Sequence, residues 1–341
     1  MTLKKRKTTQ EVADEAKKTA CNILLPRPSD YIISTGSTLL DLAISGKRNK
    51  GGGLPGGILV EIFGPSSSGK TALLVEICAS AQEDKGKVRF LDPEARLDKE
   101  YAEIYGMHLN KDDYHRPDTV EEMFKYINEW DTDPNVINVI GADSLAALST
   151  ELELEKGDKM GMKRAKDFST GLRKICRKIA AQNKLLICSN QIRQSDYGEV
   201  TPGGKGIPYY ASLRIRIKQK AKIEKKKKVR EKNIVKIVGI ESECEIIKNS
   251  LDDPFRTAPI RILFGHGIDD VGANLQWLKT TLGLSKYNAI DSEYQSLDQA
   301  IAYIEKNNYE DKLREEVIDL FMEIEEKFTL QRKKKKRFKL K

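Results

Sequence analysis

Residues 64–71 read Gly64-Pro65-Ser66-Ser67-Ser68-Gly69-Lys70-Thr71, the GxxxxGK[ST] spacing of a loop that cradles phosphates. Its glycines let backbone N–H groups turn inward around an anion. The N-terminus of a following helix adds the positive end of its dipole. In such a loop Lys70 sits on the β- and γ-phosphates of a nucleotide such as ATP, and the Thr71 hydroxyl on Mg²⁺. The metal needs a second oxygen ligand, from the end of a neighbouring buried strand. The segment 136–143, VINVIGAD, offers Asp143 there, binding directly or through water. Hydrolysis also needs a group that activates water. After the apolar run 88–91 come Asp92, Pro93 and Glu94. A carboxylate at the C-terminal end of a parallel strand lies on the ligand side of its sheet. Glu94 is the candidate general base, and Asp92 could share the site.

These groups converge only if the chain supplies strands and helices in alternation. The segments 58–63, 88–91, 136–140 and 185–188 are short, apolar and β-rich, as strands buried on both faces are. Between them lie helical patterns over 71–83, 120–129 and 165–182. Such alternation implies βαβ units and an α/β fold with a mostly parallel sheet. From Leu213 the pattern changes to strict alternation over 213–218, which predicts a strand, then a turn over 225–232 and a second strand over 234–240. A further strand over 260–264 ends at Gly265, and residues 271–330 predict a small, mostly helical unit with its own apolar stripe. The chain carries no internal repeat.

Composition narrows the class. At 341 residues the chain has room for one large domain with appendages or for two ordinary ones, and its core needs no staples. No apolar run approaches the ~20 residues that span a bilayer, so a membrane is not an expected partner. The basic N-terminus has no apolar stretch behind it and does not read as a secretory signal. Five scattered cysteines, none in a CxxC pair, argue for free thiols in a reducing compartment, so a cytoplasmic location is expected. The net charge of +9 is concentrated. Residues 214–232 carry 11 basic and 2 acidic side chains, and 332–341 carry 8 basic and no acidic ones, which leaves the rest of the chain net acidic. That asymmetry suggests contact with a polyanion, although a solvated hairpin and a frayed tail would look the same.

Several motifs in one order resemble a known family. GPSSSGKT, FLDPEARLDKEYA, ADSLAAL, SNQIRQ, the pair Gly203-Gly204, YYASLRIRI and IIKNSLDDPFRTAPIRILFGHGI occur in the order and spacing of RecA recombinases. The resemblance covers about residues 32–270 and, faintly, 296–327. It implies a RecA-type ATPase core over 32–270, an N-terminal polymerisation arm over 1–31, a small C-terminal domain over 271–330 and a basic tail over 331–341. It implies a DNA-dependent ATPase that polymerises as a helical filament on single-stranded DNA, pairs it with homologous double-stranded DNA and exchanges strands in recombination and repair. A loader or single-strand-binding protein is an implied partner. The alternative within the class is an ATP-switched mediator or regulator without strand exchange.

The same resemblance assigns residues. Glu94 matches the catalytic glutamate, Asp98 and Tyr101 match residues that hold the adenine, and Gln191 matches the glutamine that senses the γ-phosphate. Lys248 matches one of two lysines that reach a neighbour's ATP, while Ser250 stands at the place of the second. Two DNA-binding loops fall at about 151–164 and 193–208. The first carries Lys159, Lys163 and Arg164 and leads into a helix with Arg173. The second carries Arg193, Tyr197, Gly203, Gly204 and Lys205. Glycines interleaved with cations suit a site that follows a nucleic-acid backbone, and Tyr197 could stack on bases. The second loop is shorter than in typical bacterial members. The N-terminal segment is closer to phage recombinases of the UvsX kind, and the tail is basic where bacterial members usually end in acid.

Overall fold

The computed structural model describes residues 32–150, 161–195, 198–201 and 206–332. The expected arm 1–31, Lys159, Tyr197, Gly203, Gly204, Lys205 and the end of the basic tail lie outside the described residues. The first half of the chain forms β1 (Ile32–Ile33), α1 (Thr38–Ser45), β2 (Leu54–Pro55), β3 (Leu59–Gly64), α2 (Lys70–Glu83), β4 (Val88–Leu91), α3 (Lys99–Ile104), β5 (Tyr114–His115), α4 (Val120–Glu129) and β6 (Asn138–Ala142). Then come α5 (Gly161–Ala181), β7 (Lys184–Gln191), β8 (Arg193–Ser195), β9 (Gly198–Val200), α6 (Gly206–Tyr210), β10 (Leu213–Val229), β11 (Lys232–Asn249), β12 (Thr257–Leu263) and β13 (Gly267–Ile268). The helical end comprises α7 (Asp270–Thr281), β14 (Tyr287–Asn288), β15 (Glu293–Tyr294), α8 (Leu297–Asn307) and α9 (Glu310–Lys327).

One sheet of nine strands organises the molecule, in the order β13-β12-β11-β10-β3-β7-β6-β4-β5. From β10 to β5 every neighbouring pair is parallel, and β11, β12 and β13 add an antiparallel flank. Residues alternate between two cores. Val60, Ile62, Phe90, Val139 and Ile187 pack with α1, α2 and α7 on one face. Leu59, Leu91, Ile140, Leu186 and Cys188 pack with α4 and α5 on the other. Burial on both faces is why these strands read as continuous apolar runs. The first core continues into the helical end through Leu275, Leu278, Ile304, Leu313 and Val317.

Two local features depart from the sequence reading. The turn expected over 225–232 is strand almost throughout: β10 runs to Val229, β11 begins at Lys232, and only Arg230 and Glu231 form the loop. Arg230 takes the left-handed backbone there, at φ 53°. The β-branched residues Ile223, Val229, Ile234 and Val235 keep the lysine-rich stretch extended. The second departure is α1, a helix whose eight residues are all buried. It has no exposed face: its polar residues Thr38, Asp41 and Ser45 are buried and hydrogen-bonded to Asp270, Ser34 and the Gly53 carbonyl, so no solvent-facing stripe marks it.

The seam between α4 and α5 is tight enough to test. Gly171 lies mid-helix in α5, and a Cβ there would stand 2.1 Å from Cε2 of the Phe124 ring. Gly→Ala inside an exposed helix stabilises by about 1 kcal/mol. Here Gly171→Ala is expected to destabilise, because overpacking a close contact costs about 1–3 kcal/mol. The midpoint of denaturant unfolding reads the sign, and a midpoint above that of the native chain would contradict the packing described.

Candidate active site

The phosphate-loop residues form the turn from β3 into α2, at the carboxyl edge of the sheet. Gly69 precedes the helix with φ 99°, and a Cβ there would come within 2.4 Å of Ile262 Cδ1. Backbone hand and packing both demand glycine at that position. Ser68 donates from Oγ to the Pro65 carbonyl at 2.8 Å, and its own carbonyl accepts from Ser242 Oγ on β11 at 2.9 Å. The loop is therefore braced from inside and from the antiparallel flank. Lys70 Nζ donates to the carbonyls of Gly64 at 3.0 Å and Pro65 at 2.6 Å, pointing back over the loop that a phosphate would fill.

Strand order brings the other groups to this turn. Gly64 on β3 is in register with Gln191 on β7, and Cys188 on β7 with Ala142 on β6. Asp143, one residue beyond β6, thereby meets both the loop and β7. Its Oδ2 accepts from the Thr71 hydroxyl at 2.5 Å, and its Oδ1 accepts a short bond from the Ser189 hydroxyl. Burial pushes the Asp143 carboxyl up, with Glu94 and Asp92 adding to the rise, while the Ser189 and Thr71 hydrogen bonds hold it down. Burial lowers Lys70, against the pull of Asp143 and Glu94. Ser66, Ser67, Lys70, Thr71, Asp92, Glu94, Arg96, Tyr101, Asp143, Ser144 and Gln191 are among the walls of one cleft of about 380 Å³, a volume within the usual range for small-molecule sites.

Glu94 is half-buried at the mouth, its carboxylate 2.8 Å from the exposed guanidinium of Arg96. Asp92 plays a different part. It is buried, and its Oδ2 accepts from the Leu97 N–H at 2.8 Å and the Tyr114 hydroxyl at 2.7 Å, so it braces the turn that carries Glu94. Tyr101 reaches the cleft and exchanges a hydrogen bond with Tyr105 at 3.1 Å. Asp98 does not line it: it caps α3, accepting from the Glu100 N–H at 2.8 Å. Lys248 also lies elsewhere, in register with Arg214 on the far half of the β10–β11 pair, where its Nζ donates to the carbonyls of Pro208 at 3.0 Å and Tyr209 at 2.9 Å. Ser250 is exposed beside it.

Of the expected DNA-contacting residues, three have described side chains, all on α5. Lys163 pairs with Asp167 at 3.8 Å, Arg164 donates to the Leu148 carbonyl at 3.2 Å, and Arg173 is exposed. Arg193 opens β8, which pairs with β9 as a short hairpin directly after Gln191. Sequence reasoning missed Ser189, whose only signal is one hydroxyl in an apolar strand. It also missed a polar cluster beneath the loop. There the fully buried Glu61 accepts from Arg214 Nε at 2.6 Å and from Asn190 Nδ2 at 3.0 Å, tying β10, β3 and β7 together. Arg214 also lies over the Phe63 ring, 4.5 Å from its centroid.

This arrangement agrees with what the chain is similar to. The model of a family described as RecA N-terminal domain matches residues 27–269. The chain is 34% identical over 290 residues to Protein RecA of Delftia acidovorans, covering 81% of this chain and 75% of that one. It is 39% identical over 249 residues to Protein RecA of Methylococcus capsulatus, covering 71% and 67%. To Protein RecA of Thermus thermophilus it is 36% identical over 254 residues, covering 72% and 71%. The phosphate loop, the sheet that carries it and these matches lead to one conclusion: the chain belongs to the RecA family, the ATP-dependent DNA recombinases.

Proposed function

We propose that this chain binds Mg²⁺ and ATP in the cleft between the phosphate loop, Asp143 and Gln191, and that hydrolysis there controls its hold on DNA. The observation that carries the reading is the convergence of Lys70, Thr71, Asp143, Glu94 and Gln191 on one cleft. The donor set fits a hard divalent cation, since the Thr71 hydroxyl and the Asp143 carboxylate are oxygens that already meet at 2.5 Å. Mg²⁺ held there would neutralise charge on the phosphates. Lys70, released from the loop carbonyls, contributes its charge to the β- and γ-phosphates. Glu94 takes a proton from the attacking water, and Tyr101, together with Asp98 as the rim moves, holds the base.

Gln191 is the link to DNA in this reading. It ends β7 opposite Gly64, and Arg193 opens the next strand two residues on. An amide that bonds the γ-phosphate therefore pulls on the segment 193–208, whose Arg193, Tyr197, Gly203, Gly204 and Lys205 contact the strand. Lys159, Lys163, Arg164 and Arg173 complete the path. Lys248 faces away from its own cleft, as a residue serving a neighbour's nucleotide must, which supports a helical filament closed across ATP with residues 1–31 as its polymerisation arm. Assembly on single-stranded DNA, with help from a loader or single-strand-binding protein, then precedes pairing with a duplex. No helix among the described residues is long and apolar enough to cross a membrane. The free thiols of Cys78, Cys176, Cys188 and Cys244 support a cytoplasmic location.

Glu94→Gln keeps the shape of the base and removes its proton acceptance. Turnover is expected to fall by about two orders of magnitude or more, with ATP and DNA binding retained and the DNA-bound state prolonged. Single-turnover hydrolysis beside filter binding measures both, and unchanged turnover would move the base assignment to another group. Gln191→Ala is expected to leave ATP binding intact and abolish stimulation of hydrolysis by single-stranded DNA. Equal stimulation in variant and native chain contradicts the coupling role.

A further inference from the structure

Tyr101 is carried on a weakly anchored element. Among the residues of α3 only Ala102 is buried, and Tyr101 lines the nucleotide cleft. A tyrosine on such a helix can change rotamer about its side-chain torsions. Ordering it when a ligand arrives costs free energy unless another contact has set it in advance. The residue four positions on supplies that contact. Tyr105 is the C-terminal cap of α3 and lies on the same face as Tyr101, one turn along. The ring centroids are 5.0 Å apart with the planes inclined at 47°, and the two hydroxyl oxygens are 3.1 Å apart.

Tyr105, unlike Tyr101, is fixed by the core. It is 8% exposed and belongs to the larger apolar cluster. Its ring lies against Gly267 of β13, where a Cβ would stand 3.3 Å from Tyr105 Cδ1 and 3.1 Å from Glu76 Oε2. Glycine at 267, with φ 108°, leaves the slot that the ring fills. β13 extends the antiparallel flank from β12, whose Ile262 closes on Gly69. Tyr105 thereby ties α3 to the flank that supports the phosphate loop. Phenylalanine would serve this packing equally well, so the hydroxyl has its use toward Tyr101. That hydroxyl has no other hydrogen-bond partner among the described residues. Its hydrogen therefore goes to the Tyr101 oxygen, because a buried donor left unpaired is costly. Burial pushes the Tyr105 phenol up, and the bond to Tyr101 adds to the rise, so Tyr105 stays a neutral donor. Tyr101 keeps its own hydrogen for an acceptor on the cleft side.

We propose that Tyr105 is a positioning residue for the nucleotide base: its hydroxyl sets Tyr101 against the cleft wall before the base arrives, and it acts through Tyr101 alone. The proposal rests on the reading of Tyr101 as a residue that holds the base. It makes a buried side chain behind the wall a determinant of affinity for the base half of the nucleotide and not for its phosphates.

The test uses the full chain as Y105F, Y101F, the double variant and Y101A, with circular dichroism checking each fold. Calorimetry measures binding of two probes with Mg²⁺: a non-hydrolysable ATP analogue, and inorganic tripolyphosphate, which has no base. Y105F is expected to weaken the analogue about two- to tenfold, the worth of one hydrogen bond, and to leave tripolyphosphate at its native affinity. In turnover stimulated by single-stranded DNA, KM for ATP is expected to rise by a similar factor while kcat stays within about twofold, the sign of lost uniform binding. In the Y101F background the second substitution is expected to add nothing, since the bond is already gone. Equal weakening of both probes overturns the proposal, because it marks a general loosening of the fold. Unchanged affinity for the analogue overturns it too, as do losses that simply add in the double variant. Y101A separates the proposal from the reading beneath it. If Y101A narrows the preference for the analogue over tripolyphosphate and Y105F does not, only the part of Tyr105 fails. If Y101A leaves that preference intact, Tyr101 does not hold the base, and both fall.

Discussion

The site depends on one geometric constraint, the parallel register of β3, β7 and β6. Because Gly64 lies beside Gln191 and Ala142 beside Cys188, the phosphate loop starts level with Gln191 while Asp143 falls beside Ser189 two residues earlier on β7, and the polar residues gather at one edge. A slip of one residue would turn every inward side chain to the other face. It would also move Asp143 away from Thr71 and Ser189. The register is held from below by apolar residues on both faces and by Glu61, whose carboxylate takes bonds from Asn190 on β7 and Arg214 on β10. A buried carboxylate left without those partners would be strongly destabilising. Fold stability and site geometry are thus secured by the same strands.

Onto this rigid edge the chain places charges that do not balance. Burial raises Asp143 and lowers Lys70, so both charged forms are disfavoured in the bare protein. Lys70 spends its donors on loop carbonyls and Asp143 accepts from two hydroxyls. A nucleotide phosphate beside Lys70 and a cation beside Asp143 would favour the charged form of each. Binding of the two therefore makes better electrostatic use of the cleft than the empty arrangement does. The loop that feels this is tied through Ser242 to β11, and β11 runs on beside the lysine-rich end of β10. The nucleotide edge and the most cationic element are parts of one strand system.

Much of this was legible in the sequence, for identifiable reasons. The phosphate loop is a local motif whose spacing carries its chemistry, and Asp143 and Glu94 stand where apolar runs end. Ser189 was not legible, because its role depends on β7 lying next to β6, a non-local fact. Helix α1 was hidden by being buried on every side. The lysine run over 225–228 reads as a turn because charge dominates its composition. Yet isoleucine and valine recur along both arms, and the strands continue through it. Asp98 and Lys248 show the limit of transfer by resemblance: neither faces this chain's own cleft, so their parts require a moved rim or a second copy.

In the proposed mechanism the charge on the nucleotide, read through Gln191 at the end of β7, decides whether the chain holds DNA. The most direct measurement is the equilibrium affinity of the full chain for single-stranded DNA under three conditions: with Mg²⁺ and a non-hydrolysable ATP analogue, with Mg²⁺ and ADP, and with Mg²⁺ alone. Tight binding only with the triphosphate analogue is the expected result, since only it places a γ-phosphate within reach of the Gln191 amide. Equal affinity in all three would contradict this coupling of nucleotide to DNA.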